Sequence, residues 1–285
     1  MTSEVYFEGW GGRAYLATLV DEGPEKLESA IQRGSSSGQI VAEFRERTSH
    51  RLSRGIPSAR ADEMLSQHVE GAAHGSGRTW RRIAPILQHI EGDLLHVAEH
   101  LDANGVDDWW SASIATAEQL PLDWTWPQRF DPAREVVTAS SRTDDPSCWW
   151  IAPERLPVTL DARTVRNGRP WLLDDYSLHA NVGSTPLELD NSELRVYEVA
   201  SARDWSTLVD SYRYAANRFA TYDWGYPDSA GLVIPDWAKV AMDWDGVHVS
   251  VSRYLSAAYR PIPVRDGWTV LSGWHPGATV WLRWP

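Results

Sequence analysis

A histidine, a serine and two aspartates lie close together near the end of the chain. In residues 246–252, valines alternate with polar residues, so a strand would present His248 and Ser250 on its polar face. Histidine is the usual general base near neutral pH, and Asp243 or Asp245 could orient its ring. A serine in mid-strand, however, lacks the sharp turn that normally exposes a nucleophile. Two interpretations stay open: a catalytic or ligand-facing His248, and a half-buried strand with a polar outer face.

A second set of chemically capable residues has helical spacing. Its members recur at i, i+4, i+7 and i+11 and are His89, Asp93, His96 and His100. On one helix they would share a face, and imidazole and carboxylate groups one turn apart can bind the same metal ion. His68 or His74 could supply a further ligand. The functional hypothesis that follows from such a site is a metal-dependent enzyme. The alternative is a solvated flank beside an apolar stripe, because no H-E-x-x-H motif supports a metal site.

Tryptophan is the third unusual feature. The chain has 17 tryptophans in 285 residues, and it contains the pair Asp-Trp six times. Tryptophan can form a ligand-stacking surface, for which Trp224, Tyr226 and Trp274 are the candidates. It can equally fill a core when its N–H is bonded. Asp204 and Asp236 stand where helices should begin, so we predict that they cap those helices.

These residues need elements that position them, and the pattern predicts an α+β fold. Residues 1–120 form a predicted helical region, with Pro24 and Ser58 near helix starts and Pro85 kinking or splitting a helix over 77–101. Residues 121–285 form a predicted Trp-rich α+β domain with a mostly antiparallel sheet. Its predicted helix covers 203–218. The predicted strands are 135–139, 148–151, 158–160, 171–173, 193–199, 231–234, 246–252, 268–272 and 279–284.

Composition limits the function classes. The net charge of −12 argues against broad binding to duplex DNA or to an anionic membrane surface. Cys148 is the single cysteine, which excludes an intrachain disulfide. The first ten residues have no signal-peptide pattern, and no apolar run approaches a membrane span, so we expect a cytoplasmic protein. Many arginines and only two lysines are typical of a GC-rich bacterial genome. No cofactor is indicated.

The C-terminal part, from about residue 195, resembles a module of actinobacterial proteins of unassigned function. The resemblance rests on IPDWAKVA at 234–241 and DWDGVHVS at 243–250. The chain departs from that pattern at residues 275–277, where His-Pro-Gly replaces an acidic turn, and at Glu198, where the pattern favours arginine. The resemblance implies a bacterial origin and a modular C-terminal domain, and it implies no established activity.

Four functional hypotheses follow. The preferred one is an enzyme or binding protein for a small planar ligand that contacts aromatic residues, with His248 as the acid or base. The others are a protein-interaction or immunity-type module with exposed tryptophans, the metal-dependent enzyme, and an ADP-ribosyltransferase-like protein. The last is an analogy to a Tyr-Arg strand followed by a serine-rich strand. Here Tyr197-Glu198 replaces Tyr-Arg, 250–252 is Ser-Val-Ser, and no Glu-x-Glu follows.

Overall fold

The chain folds into helices and a mixed β-sheet, which confirms the predicted α+β class. The structure is a computed structural model that describes residues 3–20, 23–72, 76–106, 108–114, 119–123, 132–140, 150–153, 156–166, 169–170, 172, 181–182, 186, 189, 194–216 and 231–283. In that part of the chain, no helix is both long enough and apolar enough to cross a lipid bilayer.

The N-terminal part of the chain is mostly helical, as predicted. A 3-10 helix at Ser3–Phe7 precedes α1 (Trp10–Leu19), α2 (Pro24–Gln32), α3 (Ser37–Arg54), α4 (Ser58–Ala72), α5 (Ser76–His89) and α6 (Glu91–Ala103). Pro24 opens α2, where its missing N–H is harmless. Ser36 caps α3 and forms a reciprocal capping box with Gln39.

The helix predicted over residues 77–101 is split into two helices, and the break lies five residues after Pro85. Pro85 lies inside α5, and the break falls at Ile90, whose φ of −100° and ψ of 10° are not helical. A proline disturbs the turn that precedes it, so Pro85 does not itself explain a break that follows it. Ile90 still donates to Ile86 O and accepts from Leu94 N, so α5 and α6 follow each other closely.

The strands of the main sheet are β1 (Gln119–Asp123), β2 (Val158–Asp161), β5 (Asn181–Val182), β6 (Val196–Val199), β9 (Gly246–Val249) and β12 (Ala278–Trp281). They lie in the order β5-β1-β2-β12-β9-β6. Among these described strands only β6 and β9 pair in parallel, so the prediction of a mostly antiparallel sheet is confirmed. Three two-stranded sheets pair β3 (Val165–Arg166) with β4 (Arg169–Pro170), β7 (Arg213–Ala215) with β8 (Val233–Pro235), and β10 (Ile262–Val264) with β11 (Gly267–Thr269).

Four further helices are α7 (Pro132–Ala139), α8 (Ala202–Ser211), α9 (Trp237–Asp243) and α10 (Val251–Ala257). The predicted strand at 135–139 was wrong, because a short apolar run fits a buried helix equally well.

Asp236 caps α9 as predicted, accepting from Lys239 N at 3.4 Å. Asp204 does not cap α8. Ser201 does, because its hydroxyl accepts from Asp204 N, while the Asp204 carboxylate accepts from Ala200 N and from the Ser201 hydroxyl.

Tryptophans fill the core beside the sheet. The indoles of Trp205, Trp237 and Trp274 lie 6.2–6.4 Å apart, centroid to centroid. Trp237 Nε1 donates to Ile151 O, and Trp274 Nε1 donates to Ala278 O. All three side chains are fully buried and two of the three indole N–H groups are bonded, so in this cluster tryptophan serves packing.

The helices of the first part pack directly against α10. A Cβ atom added to Gly9 would lie 2.2 Å from Ser256 O, and one added to Gly11 would lie 2.5 Å from Leu255 O. Only glycine permits so close an approach of two backbones. The division near residue 120 stays a prediction, but helices from its two sides share an interface.

Candidate functional site

Two ionisable side chains meet at the carboxyl ends of the two parallel strands. Glu198 is the next-to-last residue of β6, His248 is the next-to-last residue of β9, and the two are directly opposite each other. The helices α8 and α10 begin just after these strands. The strand pairing therefore brings this acid and this imidazole side by side near the carboxyl ends of both strands.

Glu198 and His248 form a short hydrogen bond. His248 Nδ1 lies 2.6 Å from Glu198 Oε2, and Ile114 N donates to Glu198 Oε1 at 2.9 Å. The carboxylate accepts at Nδ1, which assigns the ring proton to that nitrogen. Within the described residues, Nε2 makes no further hydrogen bond. The histidine side chain is 3% exposed and the glutamate 32%, so the pair reaches solvent on the glutamate side.

The expectation that Asp243 or Asp245 orients His248 is corrected by this geometry. Asp243 accepts from the Tyr212 hydroxyl at 2.7 Å. Asp245 accepts from the Arg195 backbone N–H and guanidinium. The guanidinium hydrogen bond lowers the pKa of the Asp245 carboxyl, and burial opposes that shift. Neither aspartate contacts the histidine ring, because the parallel pairing brings in a carboxylate from 50 residues earlier.

Ser250 lies at a turn rather than in mid-strand. Strand β9 ends at Val249, and Ser250 is the residue before α10, although its hydroxyl does not cap that helix. Its Oγ lies 3.3 Å from Ser252 Oγ, which accepts from the Ser111 hydroxyl at 2.9 Å. The mid-strand position that argued against Ser250 as a nucleophile is therefore not present in the structure. Ser250 is nevertheless 7% exposed and, among the described contacts, does not bond to His248.

Of the three predicted aromatic wall residues, only Trp274 lies in the described part of the chain. Trp274 is 1% exposed and packs with Trp205 and Trp237, so it is a core residue and cannot wall an open pocket. Trp224 and Tyr226 lie outside the described residues, as does Cys148. In the described part, the large apolar side chains that are exposed are Leu95, Val137 and Met242, and none is a tryptophan. The interaction-module hypothesis stays a prediction, because Trp224 and several other tryptophans lie outside the described residues.

The helical histidines do not converge on one point. His89 Nδ1 donates to Pro85 O in its own helix, and Asp93 pairs with Arg45 of α3 at 3.2 Å. His100 Nε2 accepts from Ile56 N at 3.3 Å, and His96 is exposed. Across the residues that the structure describes, no group of three His, Cys, Asp or Glu side chains could hold a metal ion. The predicted shared face is thus divided among separate partners.

The two additional histidines do not complete that set. His74 lies outside the described residues. His68 lines a small cavity between α1, α4 and α10, next to Gly11, Tyr254 and Tyr259. Burial lowers the pKa of His68 to about 4. A histidine that is neutral at physiological pH suits this interface between helices.

Sequence reasoning missed Glu198 and the segment 108–114. That segment reaches the site through Ile114 N and the Ser111 hydroxyl, and Trp110 O accepts from Ser252 N. The sequence placed Glu198 on a predicted strand and marked it as a departure from the actinobacterial pattern, but the partner strand was not identifiable from local pattern. The Asp-Trp pair at 108–109 was the local feature of the segment 108–114, and it indicated no contact with the site.

Comparison with known proteins does not identify the site. No protein-family model matches the chain, and no curated protein and no solved structure is significantly similar to it. The resemblance of the C-terminal part to an actinobacterial module therefore stays a prediction. The geometry of Glu198 and His248 is therefore the basis for a functional proposal.

Proposed function

We propose that the protein is an enzyme or binding protein that takes a small ligand against the Glu198–His248 pair, with His248 as acid or base. The observation that supports this proposal is the 2.6 Å bond from His248 Nδ1 to Glu198, which leaves Nε2 without a protein partner among the described residues. A carboxylate at one ring nitrogen and a free second nitrogen is the arrangement of an oriented general base.

The chemistry follows from the tautomer. Because Nδ1 carries the proton, the lone pair of Nε2 can accept a proton from a bound group. The imidazolium formed in that step would be stabilised by the Glu198 carboxylate. Ile114 N holds the other carboxylate oxygen at 2.9 Å, so the carboxylate is held from both sides. Proton transfer at Nε2 therefore requires no rearrangement of the pair.

Burial strengthens this arrangement. His248 is almost entirely removed from water, and electrostatic interactions are stronger in such surroundings than in solvent. The Glu198 side chain is 32% exposed, so the pair lies near solvent on that side. A small ligand fits these surroundings better than a macromolecule, because the histidine side chain itself is only 3% exposed.

The test is a fragment screen by ligand-observed NMR with matched variants. The fragments are neutral alcohols and amides, small carboxylates and aromatic heterocycles. We expect fragments that bind the native protein to lose about tenfold or more in affinity in His248→Gln and Glu198→Gln. His96→Gln is the control, because His96 is exposed and distant in sequence from the pair. Unchanged affinities for all fragments in His248→Gln would overturn the proposal.

A further inference from the structure

Polar side chains form a row across the sheet at the level of His248. Glu198 on β6 lies opposite His248 on β9, which lies opposite Thr279 on β12. Thr279 in turn lies opposite Thr159 on β2. Directly opposed residues share a face of the sheet, so all four side chains lie on one side. Both threonines are fully buried and His248 is 3% exposed, which makes this an unusually polar stretch of core.

Most atoms in this row have hydrogen-bond partners. The Thr159 hydroxyl donates to Gln119 Oε1 at 2.6 Å and accepts from Trp281 Nε1 at 2.9 Å. The two Glu198 oxygens are bonded to Ile114 N and to His248 Nδ1. In the part of the chain that the structure describes, Thr279 Oγ1 is fully buried and has no partner. It lies across one strand pair from His248, whose Nε2 is likewise without a protein partner.

Thr279 Oγ1 and His248 Nε2 lie on adjoining strands, and together they indicate a missing hydrogen-bond partner. A buried hydroxyl without a hydrogen bond is unfavourable, and native proteins retain few of them. Antiparallel partners have Cβ atoms about 4.5–5.5 Å apart, so one small group can reach both side chains. Valine would fill the position of Thr279 with nearly the same shape and no unbonded oxygen.

The atoms also specify what would bind them. With Nδ1 protonated, Nε2 is an acceptor and requires a donor. The Thr279 hydroxyl can donate or accept. A hydroxyl group satisfies both, since it donates to Nε2 and accepts from Thr279. A carboxylate offers no proton to Nε2, and the Glu198 carboxylate nearby would repel both carboxylate and phosphate anions.

We propose that the site takes an uncharged, hydroxyl-bearing compound such as a polyol, with one hydroxyl between His248 Nε2 and Thr279 Oγ1. This inference rests on the proposed function of the Glu198–His248 pair and specifies the ligand class for it. Thr279 is then a ligand-contacting residue and contributes to selection of neutral over anionic compounds. A firmly bound water molecule offers the same hydroxyl chemistry, and the experiment distinguishes the two sources.

The binding arm uses glycerol, acetate and inorganic phosphate as probes. The ring nitrogens of His248 are observed in 15N-labelled protein during titration of each compound. We expect glycerol to shift the His248 Nε2 signal in the native protein and in Thr279→Ser. In Thr279→Val, the apparent affinity for glycerol should fall by about tenfold or more. Acetate and phosphate should leave the signal unchanged.

The stability arm needs no ligand. Thr279→Val should unfold at the same temperature as the native protein or a higher one, because it removes an unbonded buried hydroxyl. Thr159→Val is the matched control, and it should unfold at a lower temperature because Trp281 Nε1 and Gln119 would lose their partner. Destabilisation of Thr279→Val as large as that of Thr159→Val would identify a resident water molecule and overturn the inference.

The two proposals fail in different ways. If acetate or phosphate shifts Nε2 as glycerol does, or if Thr279→Val binds glycerol normally, the hydroxyl-ligand inference is wrong and the proposed function stands. The inference is also overturned if glycerol leaves Nε2 unshifted while other fragments depend on His248. If no fragment in the screen depends on His248, the proposed function is wrong.

Discussion

The histidines of α5 and α6 and the histidine of β9 have opposite surroundings. His89 bonds to its own helix backbone, His96 is exposed, and His100 accepts from the loop that follows α3. His248 is buried and bonded to a carboxylate on the neighbouring strand. The first group has the more regular spacing in sequence, whereas the second has the more specific arrangement in space.

The difference shows what regular spacing can and cannot imply. Helical spacing places side chains on one face, but His89, Asp93 and His100 bond to different groups, namely a local carbonyl, Arg45 and a loop N–H. Strand pairing instead brings together residues that are far apart in sequence. Functional geometry in this chain therefore depends on pairing across the sheet rather than on periodicity along one helix.

The largest expected contrast is between His248→Ala and His96→Ala. Removing the buried ring leaves a cavity and a carboxylate without its partner, so we expect a loss of about 3–4 kcal/mol in unfolding free energy. The exposed His96→Ala should change it by less than about 0.5 kcal/mol. Urea unfolding followed by tryptophan fluorescence measures both. Equal losses would remove the distinction between the two regions.

His68 provides a second test, because it is a buried histidine within the helical region. Burial lowers its pKa from 6.5 to about 4 in the folded protein. The unfolded chain therefore binds a proton between these values that the folded chain does not. Stability should fall as the pH decreases from about 6.5 to about 4, by at most about 3 kcal/mol.

His68→Gln removes this titration and should flatten the stability profile between about pH 6.5 and pH 4. His96→Gln should leave the native profile unchanged, since that ring is exposed in both states. The measurement is urea unfolding at a series of pH values. A profile for His68→Gln that follows the native one would show that another group causes the acid sensitivity.

A smaller difference in unfolding free energy is expected between substitutions of the two candidate orienters of His248, Glu198 and Asp245. Glu198→Gln removes a hydrogen bond to a charged group and should cost about 2 kcal/mol, with a change in the 15N shifts of the His248 ring. Asp245→Asn weakens contacts with the largely exposed Arg195 and should cost about 1 kcal/mol or less. It should leave the ring signals unchanged. A changed His248 spectrum in Asp245→Asn alone would restore the orienter predicted from sequence.

The smallest effect is expected at Asp93. Its partner Arg45 is 63% exposed, so Asp93→Asn should change the unfolding free energy by less than about 0.5 kcal/mol and lose that effect in high salt. Thermal unfolding of the native protein with added zinc, and again after chelation, tests the metal interpretation. A zinc-dependent rise in Tm that Asp93→Asn abolishes would contradict the separate pairing of these residues.

Features decided within a few residues were predictable from the sequence. The start of α2 at Pro24, the cap of α9 at Asp236 and the α+β class follow from caps, turns and periodicity, all of which act over about four residues or one strand. The strand that carries His248 was predicted for the same reason. Its end was not, because a turn after Val249 and continued alternation through Ser252 are equally compatible with the local pattern.

The tertiary structure alone decided which side chains meet. Glu198 reaches His248 because β6 pairs in parallel with β9, and Thr279 lies beside the same histidine because β12 pairs on the other side. A shift of register by one residue would turn every one of these side chains to the opposite face. Register is determined by burial of the whole sheet against its helices, a property of the folded chain that no short segment encodes. The sequence by itself therefore determined the candidate base, and the fold determined its partners.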